Sequence, residues 1–591
     1  MADETRQDQQ KEKIDRKRLA NKIKQRFLAG VAYKRQQGFY EKWQEYERFW
    51  NAEQWPEVTP DTETLPRPVT NHFAAIIERK ISALLMETPE IYFEPKDCDP
   101  DMTDADEAAD LLTKVAKRQA ENLGGPDEDV TLEELNEEVA RSAALFGTGI
   151  WCFTWDNNIV GGIPGVSAYV GDIVGQEIDP TNFFPGNPAD PRMQTQPWII
   201  VAERRPLQEV KDFYRQYAPD VVDQLQPERI KADTQVFEHE QVEQAETDMV
   251  NVLHCWWKET DPETGEKRLN YAVECQGHLL RYEEGLYKHG LYPFVAFRWY
   301  PRKKSFWGKP ESADLVNNQK EINRLDAIML LSAYTTGMPH IRYKDQFVDA
   351  RDITNDPGTL IRDNAPLGSW AIDYMPPPPM PAYPSVMRDK LTAEMKDVSG
   401  AHEAWSGKAP SSDLNASAII ALQEAAGIPM RNIQKRFHRA LREIGVLWLA
   451  FWKEFYTEAR LIRITGPDNQ IGYVWFRGTD YADMRFDVKV KAGTASPYSR
   501  ALLLANLDKM LDKGVINAEE YLEMLPADVF PKAQQILQKR QQKAQEQQAA
   551  ALQQIMATAQ PGGQPVLTGG QPSVPFNPEI LGAPVNNLVR G

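Results

Sequence analysis

No apolar run in this chain is long enough to cross a bilayer. The longest, IGVLWLAFW from Ile444 to Trp452, has nine residues, where a spanning helix needs about 20. The opening stretch, MADETRQDQQKEKIDRKRL, has no apolar core segment, which predicts the absence of a secretory signal and of any membrane partner. Cysteine is scarce. Cys98, Cys152, Cys255 and Cys275 stand far apart with no CxxC pair, a pattern that predicts buried free thiols in a reducing compartment. There is no GxxxxGK[ST], no HExxH and no GxSxG, so P-loop, zincin and serine-hydrolase chemistry have no support. Gly161, Gly162 and Gly165 lack a strand–turn–helix setting and read as a hairpin turn. His254 and Cys255 are strand neighbours whose side chains leave on opposite faces, so they do not share a metal. His438, on an arginine-rich helix face, reads as a surface residue. No catalytic, cofactor-binding or metal-binding set is assigned. Basic residues are also in deficit: 68 Lys and Arg against 86 Asp and Glu leave a net charge of −18. A protein that grips phosphate needs the opposite sign. The deficit does not exclude one that touches DNA without holding it.

What is present is a chain of 591 residues, 42 % hydrophobic and 26 % charged. That length predicts roughly three to five units. Residues 97–139 carry fifteen acids and three bases, which is most of the excess negative charge. They read as a solvated helix pair. A calcium loop starting at Asp97 fails, because positions 6 and 12 are Met102 and Ala108 rather than Gly and Glu. Helices are expected over 5–50, 70–88, 103–122 and 131–146, from helix-forming composition and apolar residues at helical spacing. A strand is expected at IYFEP. The middle, roughly 148–300, turns to short β-branched and aromatic strands: GIWCFTWD, VSAYVGD, PWIIVAERR, VNVLHCWWKE, RLNYAVEC and HLLRYEE, with DPETGE as a hairpin connection. The fold class is therefore α+β.

Residues 305–337 read as one long helix opened by Gly308 and Pro310 and ended by Gly337 and Pro339, with a narrow stripe of Leu315, Ile322, Leu325, Met329 and Ser332. An insert, 340–383, carries short strands (HIRYKD, TLIRD, SWAIDY) and a proline run. A helix over 385–399 has Met387, Leu391, Met395 and Val398 on one face. A small-residue loop, GAHEAWSGKAPSS, leads to a helix at 414–426, a break at Gly427 and Pro429, and a long helix at 430–459. Strands at LIRITG, YVWFR and MRFDVKVKAG precede helices near 497–513, 517–524 and 530–557. Residues 560–591 have no apolar periodicity and read as a flexible tail. One cluster, FRWYPRKKSFWGK at 297–309, interleaves bases with aromatics. That suits single-stranded nucleic acid by stacking and phosphate contact. It equally suits a core strand followed by a basic corner.

The order of these elements resembles the portal protein, or head-to-tail connector, of tailed double-stranded-DNA bacteriophages of the short-tailed type. EIDPTNFFPGNPADP (177–191) resembles a loop of that family. LYPFVAFRWYPRKKSFWGKPESADLVNNQKEINRLDAIML resembles the segment entering its stem, and SPYSRALLLANLDKMLDKGVINAEEYLEML the segment leading to its crown. The likeness covers most of residues 20–540. The tail departs from the long helical barrel of some such portals, to which only 530–557 could contribute.

The resemblance implies a structural, non-enzymatic protein that forms a ring of about twelve copies at one capsid vertex. The ring is the channel for DNA packaging and ejection. It also implies a mixed α/β wing (1–300 and 460–496), stem helices at 305–337 and 385–399, a clip at 340–383, a kinked long helix at 414–459 and crown helices at 497–557. A tunnel loop at 400–412 would offer His402, Glu403, Trp405, Ser406, Lys408, Ser411 and Ser412 to double-stranded DNA. The stem stripes would pack between helices. Implied partners are the large terminase subunit, head–tail adaptor and tail proteins, and the major capsid and scaffolding proteins, with assembly in the host cytoplasm. Twelve copies of −18 each carry about −216 charges, and a negative lumen lets DNA slide. Two other readings stand beside it: a nucleic-acid-processing enzyme with a metal site among the acids of 97–138, and another virion assembly or adaptor protein.

Overall fold

A computed structural model describes residues 2–86, 89–96, 103–124, 129–163, 165–227, 248–260, 265, 267–336, 340–353, 361–375, 382–400, 428–465, 471–491, 504 and 507–525. The chain divides into two units, Met1–Arg500 and Ala501–Gly591.

The N-terminal helix is two helices. Helix α1, Ala2–Gln36, ends at a turn in which Gly38 adopts φ +62°, and α2 runs from Phe39 to Trp50. The left-handed turn suits glycine, which has no Cβ to clash. The break presents Phe39, Trp43 and Phe49 of α2 to the main core, while α1 covers a separate face with Ala20, Ile23, Phe27 and Val31. Helix α3, His72–Leu85, is capped by Asn71, whose side chain accepts from the Ala74 N–H. Strand β1 spans Glu90–Pro95 and α4 spans Thr103–Ala120. Helix α5, Leu132–Phe146, starts in a reciprocal cap between Thr131 and Glu134. In α4 and α5, Leu112, Val115, Val139 and Ala143 face the core, while Asp110, Glu133, Glu137 and Glu138 are exposed. The described part of the acidic stretch is thus a solvated helix pair. Among the described residues no cluster of three or more His, Cys, Asp or Glu could hold a metal ion.

Strands β2 (Thr148–Ile163) and β3 (Ser167–Glu177) form a long hairpin through the glycine-rich turn. With β9 (Phe294–Arg298) they make a sheet ordered β3-β2-β9. A second antiparallel sheet runs β4 (Phe183–Pro185), β5 (Trp198–Pro206), β6 (Met249–Thr260), β7 (Lys267–Cys275), β8 (His278–Tyr287). Two short helices, α6 (Leu207–Tyr214) and α7 (Pro219–Val222), follow β5. Alternation divides the side chains of the second sheet. Ile200, Leu253, Cys255 and Ala272 meet α1, while Ile199, Val252, Trp256 and Val273 enter the main core. His254 accordingly leaves Cys255 and pairs through Nδ1 with the Tyr271 hydroxyl at 2.7 Å. Cys152, Cys255 and Cys275 form no disulfide and are buried, and burial raises the Cys152 and Cys255 thiols to about 12.

The long helix expected from 305 starts later. Helix α8 is Ser312–Thr336, 25 residues. Residues 299–311 fold back as a corner. Tyr300 and Lys309 exchange backbone hydrogen bonds (3.2 and 2.7 Å), and Phe306 and Trp307 are buried. Gly308 belongs to this corner rather than to a helix start. It lies against Gly147, so close that a Cβ on Gly308 would stand 2.1 Å from the Gly147 carbonyl oxygen. Beyond α8, β10 (His340–Tyr343) and β11 (Ile372–Met375) pair antiparallel. The expected strand TLIRD does not form over its described residues, 361–363. Asp363 instead accepts from the N–H groups of Ala365 and Ala371, a local turn that competes with a ladder.

Helix α9 is Tyr383–Ser399, and α10 is Ile428–Phe455. The apolar run of α10 is core: Ile444, Trp448, Phe451 and Trp452 are buried. Among the described residues no helix is long and apolar enough to cross a membrane. Strands β12 (Arg460–Thr465) and β13 (Ile471–Phe476) pair with each other. Strand β14 (Phe486–Lys491) pairs with β1, nearly 400 residues earlier in the chain. In the second unit, residues 507–512 are helical and α11 spans Ala518–Met524, whose Tyr521 hydroxyl donates to Asp508 at 2.7 Å. The expected helices at 414–426 and 530–557, the tail and Cys98 lie outside the described residues.

Candidate functional site

The start of α8 is fixed by a buried ion pair. Lys80 of α3 and Glu311, just before α8, stand 2.7 Å apart with side chains only 2 % exposed. Glu311 also accepts from Trp299 Nε1 and the Tyr300 hydroxyl, both at 2.9 Å. Burial, then Glu311, push the Tyr300 phenol well above its usual range, so it stays a donor. Buried charges are tolerated only when paired and hydrogen-bonded, which these are. The aromatic–basic cluster at 297–309 is therefore a structural corner. Phe297, Trp299, Phe306 and Trp307 are buried, Arg298 donates to the Phe306 carbonyl and Lys309 pairs with Asp314.

Two turns further on, α8 is tied down by amides. Gln319 Nε2 donates to Thr70 O (2.8 Å) and to Asn323 Oδ1 (2.9 Å), and its Oε1 accepts from Phe73 N (3.1 Å). Asn323 Nδ2 donates to Gln54 Oε1 at 2.7 Å, and Gln54 donates to Phe49 O and Asn71 Oδ1. Gln319 and Asn323 share the buried face of α8 with Leu315 and Ile322. Sequence reasoning missed this ladder. Its signal was two amides at i, i+4 spacing in line with the apolar stripe.

The remainder of α8 leaves the body. Leu325 and Met329 are half-buried, and so are Met387 and Leu391 of α9. Met395 is buried and Val398 exposed. Arg388 of α9 reaches back to Asp326 of α8 at 3.2 Å. Burial, and then Arg388 and Lys396, hold His72 below its ordinary value beside this junction. The far half of the pair and the insert carry uncovered apolar side chains: Ile328, Leu331, Tyr334 (67 % exposed), Ile341, Tyr343, Trp370 (82 %), Met375, Tyr383 (72 %) and Val386. The eight apolar stem-stripe residues are thus split between a buried root and a half-covered shaft. The candidate loop residues His402, Glu403, Trp405, Ser406, Lys408, Ser411 and Ser412 lie outside the described residues.

The loop 177–191 sits against α1. Lys34 Nζ donates to Pro180 O (2.7 Å) and Thr181 O (2.8 Å), with the Phe184 ring at 4.0 Å. Burial drives this lysine well below its usual range, against a smaller opposing pull from Asp179.

Residues 327–566 match the family model described as phage P22-like portal protein. Over that stretch the chain is similar to portal proteins of the short-tailed phage type. The matched part begins in the far half of α8 and includes the insert, α9, α10 and β12–β14. The match supports a phage portal role for this part of the chain. No curated protein matches the chain.

Proposed function

We propose that this chain is a phage portal protein and assembles into a ring of about twelve subunits whose axial hole conducts double-stranded DNA during packaging and ejection. The observation that carries the reading is the α8–α9 pair with its insert. It is rooted by a buried ion pair and an amide ladder, yet its far half presents tyrosine, tryptophan and aliphatic side chains that the same chain leaves uncovered. Apolar surface of that extent on one projection marks an interaction site, and neighbouring subunits are the partners a ring supplies. In this reading α8 and α9 are the stem, and the insert 340–383 is the clip that docks the large terminase subunit and then the adaptor and tail proteins. The body, 1–300 with 460–496, is the wing. Residues 497–557 are the crown, α10 belongs to the kinked helix 414–459 beside the channel, and 400–412 is the tunnel loop facing DNA. The major capsid and scaffolding proteins would surround the ring at the vertex of a particle assembled in the host cytoplasm. Negative-stain imaging of the purified full chain tests the reading. Rings with a central hole wide enough for duplex DNA are expected. Monomers or filaments at micromolar concentration contradict it.

A further inference from the structure

A cavity of about 150 Å³ opens between the end of α4, strand β3 and strand β12. It has no part in the channel reading. Three arginines line it, Arg118, Arg460 and Arg463, with one acid, Asp172. Arg460 is only 3 % exposed. Its guanidinium is held by its faces: the Tyr456 ring lies 3.5 Å away and the Tyr169 ring 4.3 Å. Its edge is held only by a long ion pair with Asp172. Nη1 is 4.0 Å from Asp172 Oδ1, too far for a hydrogen bond, and Nε and Nη1 meet no acceptor among the described residues. Asp172 Oδ1 is already engaged, accepting from the Tyr456 hydroxyl at 2.7 Å and from Ile173 N at 2.8 Å. An arginine cannot neutralise itself by losing its proton. Buried cations left without acceptors are costly, so a side chain locked by stacking with spare N–H edges needs a further partner.

We propose that this cavity binds a phosphate-sized oxyanion, with Arg460 as the fixed donor at its base and Arg118 and Arg463 completing the cationic wall. Three cations against one acid leave a net positive lining. Planar guanidinium edges match phosphate oxygens and give short, charge-assisted bonds. Asp172 sets the choice among anions. An ionised carboxylate accepts and cannot donate. Phosphate near neutral pH still carries a proton to give it, whereas sulfate carries none and is repelled. Tyr169 is pushed up by burial, then by Asp172, so its phenol remains protonated at the cavity.

Titration calorimetry on the full chain near pH 6.5 tests this, with sodium phosphate, sodium sulfate and deoxyadenosine monophosphate at matched ionic strength. Phosphate is expected to bind saturably with a Kd below about 1 mM, and sulfate at least about tenfold more weakly. Arg463→Gln and Arg118→Gln should each weaken phosphate about tenfold with an unchanged melting temperature in phosphate-free buffer. Arg460→Met should abolish binding; if it also unfolds the chain, the other two variants carry the test. Equal binding of the nucleotide assigns a terminal phosphate ester as an accepted ligand, and its exclusion assigns free phosphate alone. No saturable phosphate binding up to about 10 mM, sulfate binding as tight as phosphate, or wild-type affinity in both Gln variants would overturn the proposal.

Discussion

Helix α8 lives in two environments. From Ser312 to Asn323 it is part of the body: Leu315, Val316, Gln319, Ile322 and Asn323 are buried, and each buried amide has its partner in α2, α3 or the segment between them. From Arg324 to Thr335 no residue is buried, although the helix continues unbroken. Helix propensity favours the second half, rich in Leu, Ala and Met where the first has three Asn, so it does not explain why the first half is the buried one. Their difference is what covers them. The first half is completed by its own chain. The second has only α9 beside it and keeps Ile328, Leu331 and Tyr334 in water. A helix left in that state is stabilised by association. Substitutions in the root should therefore change folding stability, and substitutions in the shaft should change assembly.

The largest effect is expected at the ion pair. Glu311→Ala strands Lys80 in a site 2 % exposed, and should cost about 3–5 kcal/mol in urea unfolding. A loss under 1 kcal/mol would erase the contrast from the root side. Asn323→Leu removes the donor to Gln54 and the acceptor for Gln319, and should cost about 1–3 kcal/mol in the same measurement.

The body should also respond to acid. Burial, followed by the nearby Lys258, lowers His289 to about 4. In the unfolded chain a histidine titrates near 6.5. Below that pH the unfolded state binds a proton that the folded state refuses, so stability falls as pH drops from about 6.5 towards 4. His289→Gln should flatten this slope, as read from unfolding midpoints across that range. An unchanged slope would remove His289 from the account. The smallest stability effects belong to the shaft. Tyr334→Ser and Trp370→Ser should each alter unfolding by less than about 0.5 kcal/mol, yet lower the fraction of chain in large assemblies on sedimentation. Shaft variants that destabilise the fold while leaving assembly intact would reverse the comparison.

Much of this layout was legible in the residues. β-Branched and aromatic runs between turn residues gave β5 to β8, and alternation gave the separation of His254 from Cys255. Apolar spacing gave α3, α5 and α9, because one-sided burial imprints a period on the sequence. The failures have physical causes. The break at Gly38 hides between two strong helix formers and is decided by which core each half must reach. The late start of α8 depends on Gly308 meeting Gly147, a contact between segments 160 residues apart that no local signal records. Asp363 ends a strand-like run through its own side chain. At the candidate site, the narrow apolar stripe was visible. The reason for it was not: buried Gln319 and Asn323 occupy places where a fully apolar face would otherwise run. The Arg460 cavity was equally silent, since its arginines come from α4 and β12, and Asp172 from β3.

The account turns on whether the uncovered shaft is covered by further copies of the same chain. Native mass measurement of the full chain at micromolar concentration and moderate salt addresses that directly. About twelve subunits of 67.3 kDa should give a species near 800 kDa, and the Tyr334→Ser, Trp370→Ser double variant should shift mass toward single chains while keeping its fold. A wild-type chain that stays at 67.3 kDa under those conditions would contradict the claim.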